Sequence, residues 1–489
     1  MQPVVDREIL AAELGSICRL EMDSRRVLPG DTFVAYPGGT QDGRNYIEQA
    51  IAKGAANVLW ERNGYEWPKE WKVPNLGIRN LRQQAGEIAS CVYGYPSREL
   101  YCIGITGTNG KTSSSHWIAK ALSNYGRPCA IIGTLGNGFF EHLLPTQNTT
   151  PDVLLLHGLL KEYLAHGASA VAMEVSSHGL VQGRVNGVEF DVALFTNLSR
   201  DHLDFHGSME AYAAAKASLF GWKGLKFAII NADDPYSQNM QDSVKGAQVL
   251  TYGFGDADIR GNVVEMGLQG IRMKLETPWG QAEIASELVG RFNASNLLGI
   301  IGVLLVSDVP LEAVVKQVYA LQPVTGRFQK LGGEGMPKVI VDYAHTPDAL
   351  GKVMETLRET LPQGGHLICV FGCGGGRDKG KRALMGEIAE RWADMVVLTE
   401  DNSRYERVED IIDDILQGMK KQCFVEKDRG QAIQLALEKA KATDVVLVAG
   451  KGHEVILEKN GERFPFSDVE KAHEAMIAWC RRRDGKKDV

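Results

Sequence analysis

The sequence predicts an α/β fold in three domains. Length is the first observation: 489 residues exceed what one core ordinarily holds, and common domain sizes give two to four domains, with three as the working number. Alternation is the second, because short apolar runs bounded by Gly, Pro and Asn keep giving way to stretches with helical spacing. The third is YCIGITGTNGKTSSSH at 101–116, where an apolar run turns into a glycine-rich loop. Tyr101 to Ile105 read as a buried strand, and from Ser113 the spacing of Trp117, Ile118, Ala121 and Leu122 is helical. A glycine loop joining strand to helix predicts a central P-loop-type doubly wound sheet.

Composition narrows the class. A hydrophobic share of 44%, with 24% charged residues and no long low-complexity tract, describes a globular chain and not a disordered or fibrous one. Nothing reads as a membrane span, and MQPVVDREILAAELG lacks a basic stretch leading into an apolar core, so a cytoplasmic protein without a secretory signal is expected. Of the eight cysteines only Cys369 and Cys373 lie close together, without a second pair to complete a zinc site, and buried free thiols are the expectation. A net charge of −7 argues against a nucleic-acid partner, while small anions remain open to local Arg and Lys clusters.

Residues 1–98 read as the first domain, closed by the break at Pro96 and Ser97 before the loop strand. Within it DSRRVLPGDTFVAYPGGTQDGRNYIEQAIAKGA places Pro-Gly and Gly-Gly turns around a strand, followed by a helix. On composition alone Ser24 and Arg25 are surface residues.

Residues 99–327 form the second domain, which opens with the loop. Gly107 and Gly110 let the backbone approach phosphates, together with Thr108 and Asn109 between them; Lys111 supplies a point charge and Thr112 can reach a magnesium ion. A strict P-loop would carry glycine where Ile105 stands, and a purely structural glycine turn is the alternative. Further on, AVAMEVSSHGLVQGRV puts Glu174 at the end of an apolar strand, where a magnesium ligand belongs in a doubly wound sheet. His202 follows another such strand; with His206 it has the spacing of a zinc pair, but the acid of the H-E-x-x-H pattern is missing. Lys216 lies in the alanine-rich helix AYAAAKASLF, where a lysine is ordinarily solvated. Thr-Thr-Pro at 149–151 and Ser-Ser at 176–177 could equally be turns and caps. QPVTGRFQKL closes the domain as a linker.

Residues 328–489 form a Rossmann-like third domain, read from HLICVFGCGGGRDKGKR, ADMVVLTEDNSRYE and DVVLVAGKGHE, parallel strands whose loops carry the polar residues. Asp342, after one strand and before a helix, reads either as a ligand residue or as an N-terminal cap. EDIIDDI is the outer face of a helix.

TGTNGKT after an apolar strand, DSRxVxPGDxFVA with DGRxYIxxAIxxGA near the start, and the order Glu174, His202, Lys216 behind the loop resemble the Mur ligases, over nearly the whole chain. The resemblance implies an ATP- and magnesium-dependent ligase that joins a carboxylate to an amine in peptidoglycan precursor synthesis. It implies a UDP-sugar domain with contacts at Ser24 and Arg25, and sugar-peptide contacts at Asn148, Thr149, Thr150, Ser176, Gln182 and Arg184. Asn293, Asn296, Arg327, Asp342 and His345 would attend ATP; Lys111, Glu174, His202 and Lys216 the chemistry; and Thr112, Glu174, His202 and a carbamylated Lys216 the metal. Arg377, Asp401, Asn402, Arg404, Gly450 and Glu454 would hold the incoming amino acid, whose zwitterionic ends need both signs of charge. The substrate implied is UDP-N-acetylmuramoyl-L-alanyl-D-glutamate. Family members adding meso-diaminopimelate carry DNPR where this chain has DNSR; Arg404 favours meso-diaminopimelate, and Ser403 leaves the lysine-adding type as the alternative. Folylpolyglutamate synthetase, which ordinarily lacks a UDP-sugar domain, and a non-catalytic ATP-binding subunit are the further alternatives. A monomer without membrane or nucleic-acid partners is expected.

Overall fold

The computed structural model describes residues 7–39, 41–267 and 269–484, so the first six residues of the opening segment read above lie outside it. Three sheets follow one another along the chain. The first has four parallel strands in sequence order, Leu20–Glu21, Thr32–Ala35, Asn57–Glu61 and Asn75–Ile78, backed by the helix Leu81–Val92.

The second sheet has six parallel strands in the order Gln248–Gly253, Phe227–Asn231, Val192–Phe195, Tyr101–Thr106, Ala170–Glu174 and Cys129–Gly133. The loop strand is therefore interior, and its alternation feeds two cores. Ile103 and Ile105 enter one apolar cluster with Trp117, Ile118 and Leu122 of the helix Lys111–Asn124 and Leu297 of Arg291–Val306. Cys102 enters the opposite cluster with Leu156 of Val153–Ala165 and Tyr212 of Met209–Ala217. Burying each large apolar side chain contributes about 1.5–3 kcal/mol, which fixes the strand and hence the loop leaving its end. Both edges are extended: Ile259–Gly267 joins Gln248–Gly253 in parallel and carries Gly270–Thr277 and Gly280–Ser286 antiparallel, and Gly136–Phe139 and His142–Leu144 add antiparallel on the other side.

In the third sheet Lys338–Asp342, Val445–Ala449, Leu367–Phe371, Met395–Leu398 and Phe424–Val425 lie parallel in that order, with Gln329–Leu331 antiparallel at one edge. A hairpin, Ile456–Lys459 with Glu462–Pro465, stands beside it. Val408–Leu416 buries Ile411, Ile412 and Ile415 and turns Asp410 and Asp413 outward. Cys369 and Cys373 are buried free thiols. Among the described residues no helix is long and apolar enough to cross a membrane.

Candidate active site

The strand Tyr101–Thr106 ends at Gly107, and the next helix begins at Lys111. Both glycines of the loop are required by close approach. Gly107 has φ +153°, and a Cβ there would lie 1.8 Å from Thr196 Oγ1; Gly110 has φ +88°, and its Cβ would meet Asn296 Oδ1 at 2.6 Å. The loop is clamped from outside as well: Asn109 N–H donates to Asn197 Oδ1 at 3.0 Å, and the Thr108 hydroxyl lies 3.1 Å from the Tyr212 hydroxyl.

Two lysines converge beneath this loop. Lys111 Nζ donates to the carbonyls of Gly107 at 2.7 Å and Thr108 at 2.8 Å, and Lys216 Nζ reaches the same Gly107 carbonyl at 2.7 Å. Lys216 is 1% exposed, which reverses the solvated reading of its helix. Burial, and then the charge of Lys111, push the Lys216 pKa far below that of a free lysine; burial also lowers that of Lys111.

Glu174, fully buried at its strand end, gathers hydroxyls. Its Oε2 accepts from Thr112 Oγ1 at 3.0 Å and Thr134 Oγ1 at 3.1 Å, and its Oε1 from Thr134 N–H at 2.8 Å. Arg327 bridges from the linker, donating to Thr112 Oγ1 at 3.2 Å while its guanidinium lies over the Tyr343 ring at 4.4 Å. His202 adopts a left-handed backbone at the start of the turn Leu203–His206, and burial pushes its pKa down to about 3. Asp201 beside it is 5% exposed; burial works against its carboxylate, but His345 and Lys381, both 3.7 Å away, hold its pKa below the usual range.

A carboxylate flanked by threonine hydroxyls is a hard-oxygen set suited to magnesium, which is commonly held by one or two carboxylates and completed by substrate phosphates. No cluster of three or more His, Cys, Asp or Glu that could hold a metal occurs among the described residues. Lys216 as an amine donates to Gly107 and would need conversion to an acid to become a ligand.

Two cavities meet at this loop. One, about 740 Å³, is lined by Asn109, Gly110, Asn293, Asn296, Arg327 and Asp342. The other, about 570 Å³, is lined by Lys111, Asn148, Thr149, Ser176, Arg184, His202, His345, Arg377, Asp401, Asn402, Arg404, Gly450 and Glu454. Gly107, Thr108, Thr112, Glu174 and Lys216 line neither and form the floor between them. Thr150 is wholly buried, donating to the Glu174 carbonyl at 2.8 Å, and Gln182 accepts from Arg184 Nε at 2.9 Å, so both support neighbours instead of facing a cavity. Ser24 donates to Gln49 Oε1 at 2.8 Å and Arg25 pairs with Asp23 at 2.8 Å, in the turn between the first two strands of the first sheet, and neither lines either cavity.

Asp342 does not cap a helix. It accepts from the N–H groups of Phe328 and Ala344, and Thr346 caps the helix Pro347–Glu359. Sequence reasoning missed Thr134, Asp201 and Lys381. Thr134 carried no signal, while Asp201 stood one residue before His202 in SRDHLD and could have been found there.

Residues 105–304 match the family described as Mur ligase middle domain, 326–452 the Mur ligase glutamate ligase domain, and 16–93 the Mur ligase family catalytic domain. UDP-N-acetylmuramoyl-L-alanyl-D-glutamate–2,6-diaminopimelate ligases are similar over nearly all their length: that of Chromobacterium violaceum is 52% identical, covering 97% of each chain, and that of Pseudomonas aeruginosa 48% identical, covering 98% of this chain and 97% of that one. A solved structure of such a ligase superposes with a TM-score of 0.67 at 38% identity, over 94% of this chain and 95% of that one. A MurF ligase from Thermotoga maritima in complex with ADP shares the fold, with a TM-score of 0.66 at 18% identity over 99% of this chain and 100% of that one.

Proposed function

Because this chain belongs to the Mur ligase family, we propose that it joins 2,6-diaminopimelate, as the meso isomer, to UDP-N-acetylmuramoyl-L-alanyl-D-glutamate at the expense of ATP. The observation that carries the reading is a shared cavity. Lys111 of the phosphate loop lines the same space as Arg377, Arg404, Asp401 and Glu454, so a phosphoryl group and a zwitterion of both charge signs can meet there.

In this account the three units, 1–98, 99–327 and 328–489, take the UDP-sugar, ATP and the amino acid. Asn293 and Asn296 attend the adenine, and the first unit takes the uridine diphosphate near Ser24 and Arg25. The γ-carboxylate of the D-glutamyl residue attacks the γ-phosphorus of ATP, ADP leaves, and an acyl phosphate forms. The amine of diaminopimelate then attacks the acyl carbon, and the tetrahedral adduct collapses with loss of phosphate and a proton.

Lys111 and Arg327 offset the charge that develops on the phosphate oxygens, the usual source of rate in phosphoryl transfer. His202, held neutral by burial, and Arg184 line the acyl acceptor's side. Thr112, Glu174, His202 and a carbamylated Lys216 would hold magnesium, which supplies further positive charge when bound. Burial and then the neighbouring Lys111 charge push the Lys216 amine toward its uncharged form, the form that adds carbon dioxide, which supports that modification.

Phosphate release from ATP with magnesium and UDP-N-acetylmuramoyl-L-alanyl-D-glutamate tests the reading. Release that requires both the nucleotide substrate and meso-diaminopimelate is expected. Release with L-lysine in place of meso-diaminopimelate would overturn the amino-acid assignment, and none with either would overturn the ligase.

A further inference from the structure

Arg382 is 1% exposed, and nothing in the chemistry above uses it. Its Nη1 donates to Glu406 Oε2 at 3.0 Å and Asp414 Oδ2 at 2.9 Å, and its Nη2 to Glu406 Oε1 at 3.1 Å and the Gly374 carbonyl at 3.2 Å. Glu406 Oε1 also accepts from the Gly376 N–H at 2.5 Å. Hydrogen bonds from Arg382 above all hold the Glu406 pKa down at about 2, so the carboxylate remains charged throughout the working range.

The other side of this glycine run rests on the turn at 401–404. Gly375 N–H donates to the Asn402 carbonyl at 2.9 Å, Arg404 Nη1 donates to the Gly375 carbonyl at 2.6 Å, and a Cβ on Gly375 would lie 2.0 Å from the Ser403 carbonyl oxygen. Arg377 follows directly and lines the cavity. Three consecutive glycines have no side chains with which to fix themselves and lose the most backbone freedom on ordering. Their geometry must be imposed from outside.

We infer that Arg382 and Glu406 are positioning residues for the amino-acid pocket: Arg382 locks Glu406, Glu406 fixes the Gly376 amide, and the fixed loop aims Arg377 and seats Arg404. A buried ion pair is poor value as a stabiliser, since desolvation offsets most of its attraction. A planar two-pronged pair is well suited to holding a backbone in one orientation. The inference rests on the reading of this cavity as the diamino-acid pocket.

Steady-state kinetics of the full chain test it with two variants. Glu406→Ala removes the bond to Gly376, whereas Asp414→Ala removes Arg382's other partner and touches no loop atom. Glu406→Ala is expected to raise KM for meso-diaminopimelate about tenfold or more, the scale of a small misplacement of a binding group, with KM for ATP and the UDP-dipeptide unchanged. Asp414→Ala should leave all three unchanged. Should Glu406→Ala fail to fold, Glu406→Asp carries the same expectation, because it keeps the charge beside Arg382 but is one methylene short of Gly376.

An unchanged amino-acid KM in the Glu406 variants would overturn the inference, as would an equal rise in Asp414→Ala, which would make the pair a stabiliser only. A wild-type protein that turns over normally while its variants behave alike overturns the brace alone; a wild-type protein that uses no diamino acid overturns the pocket and the brace together.

Discussion

Lys111 and Lys216 share one carbonyl acceptor, Gly107 O, and Lys216 is closed off from water while Lys111 also lines the cavity. Two ammonium groups cannot remain charged cheaply in that position, and the more buried amine yields first. Lys216→Ala is therefore expected to reduce kcat by about 100-fold or more, the scale of losing a charge-stabilising group, with little change in KM for the amino acid. Wild-type activity should also fall in buffer stripped of carbon dioxide and return when bicarbonate is added. Activity indifferent to bicarbonate would remove the carbamate from the account. At Arg404, which lines the cavity proposed to take the diamino acid, truncation to alanine should cost about 2 kcal/mol or more in kcat/KM for meso-diaminopimelate, the scale of a charged hydrogen-bonded contact. Unchanged kinetics would remove Arg404 from recognition.

Elements carry these residues to one another, and the elements differ in how far the sequence revealed them. The strand Tyr101–Thr106 and the helix Lys111–Asn124 were readable because an apolar run, a glycine loop and helical spacing are contiguous in the chain. The burial of Lys216 was not readable from its own helix, since AYAAAKASLF looks solvated until Gly107, 109 residues earlier, closes over it; only the family resemblance singled the residue out. Asp342 was ambiguous for a related reason: strand, acid and helix follow in order, and only the structure shows Thr346 taking the cap. The antiparallel arms at the edges of the central sheet also went unread, because their alternation of buried and exposed residues does not say which sheet they join.

The helix Leu81–Val92 docks the first unit on the second through a backbone contact, where a Cβ on Gly86 would lie 2.2 Å from the Asn186 carbonyl and one on Gly187 would lie 2.4 Å from the Gly86 carbonyl. Gly86→Ala should thus destabilise the protein by about 1–3 kcal/mol, the cost of overpacking, seen as a lower denaturant midpoint. An unshifted midpoint would show that this contact yields without cost.

Across the whole molecule the linker and the facing loops tie the second and third units together. Arg200 pairs with Asp378 at 3.2 Å, Asp201 with Lys381 at 3.7 Å, and Asn109 donates to Asp348 at 3.1 Å. His116 and His157 are buried and His453 is partly buried. Burial pushes His116 and His157 down to about 4 and His453 to about 3, against about 6.5 in an unfolded chain. Between those values the unfolded chain binds more protons than the folded one, so stability falls as pH drops from about 6.5 toward 4. Glu406, depressed to about 2, adds loss at still lower pH, while Asp234 and Asp342, raised by burial, oppose it. Denaturant midpoints measured at pH 7.5 and 5.0 are expected to be lower at 5.0, and a higher midpoint in acid would contradict the buried neutral histidines.

In the proposed reaction one cavity brings an activated carboxyl to a diamino acid chosen by two arginines, Arg377 and Arg404. The most direct test is the mass spectrum of the nucleotide product after incubation with ATP, magnesium, UDP-N-acetylmuramoyl-L-alanyl-D-glutamate and equal amounts of meso-diaminopimelate and L-lysine. The account predicts a single product, the nucleotide substrate joined to meso-diaminopimelate with loss of one water. A product carrying lysine, or a nucleotide substrate that remains unchanged while ATP is hydrolysed, would contradict it.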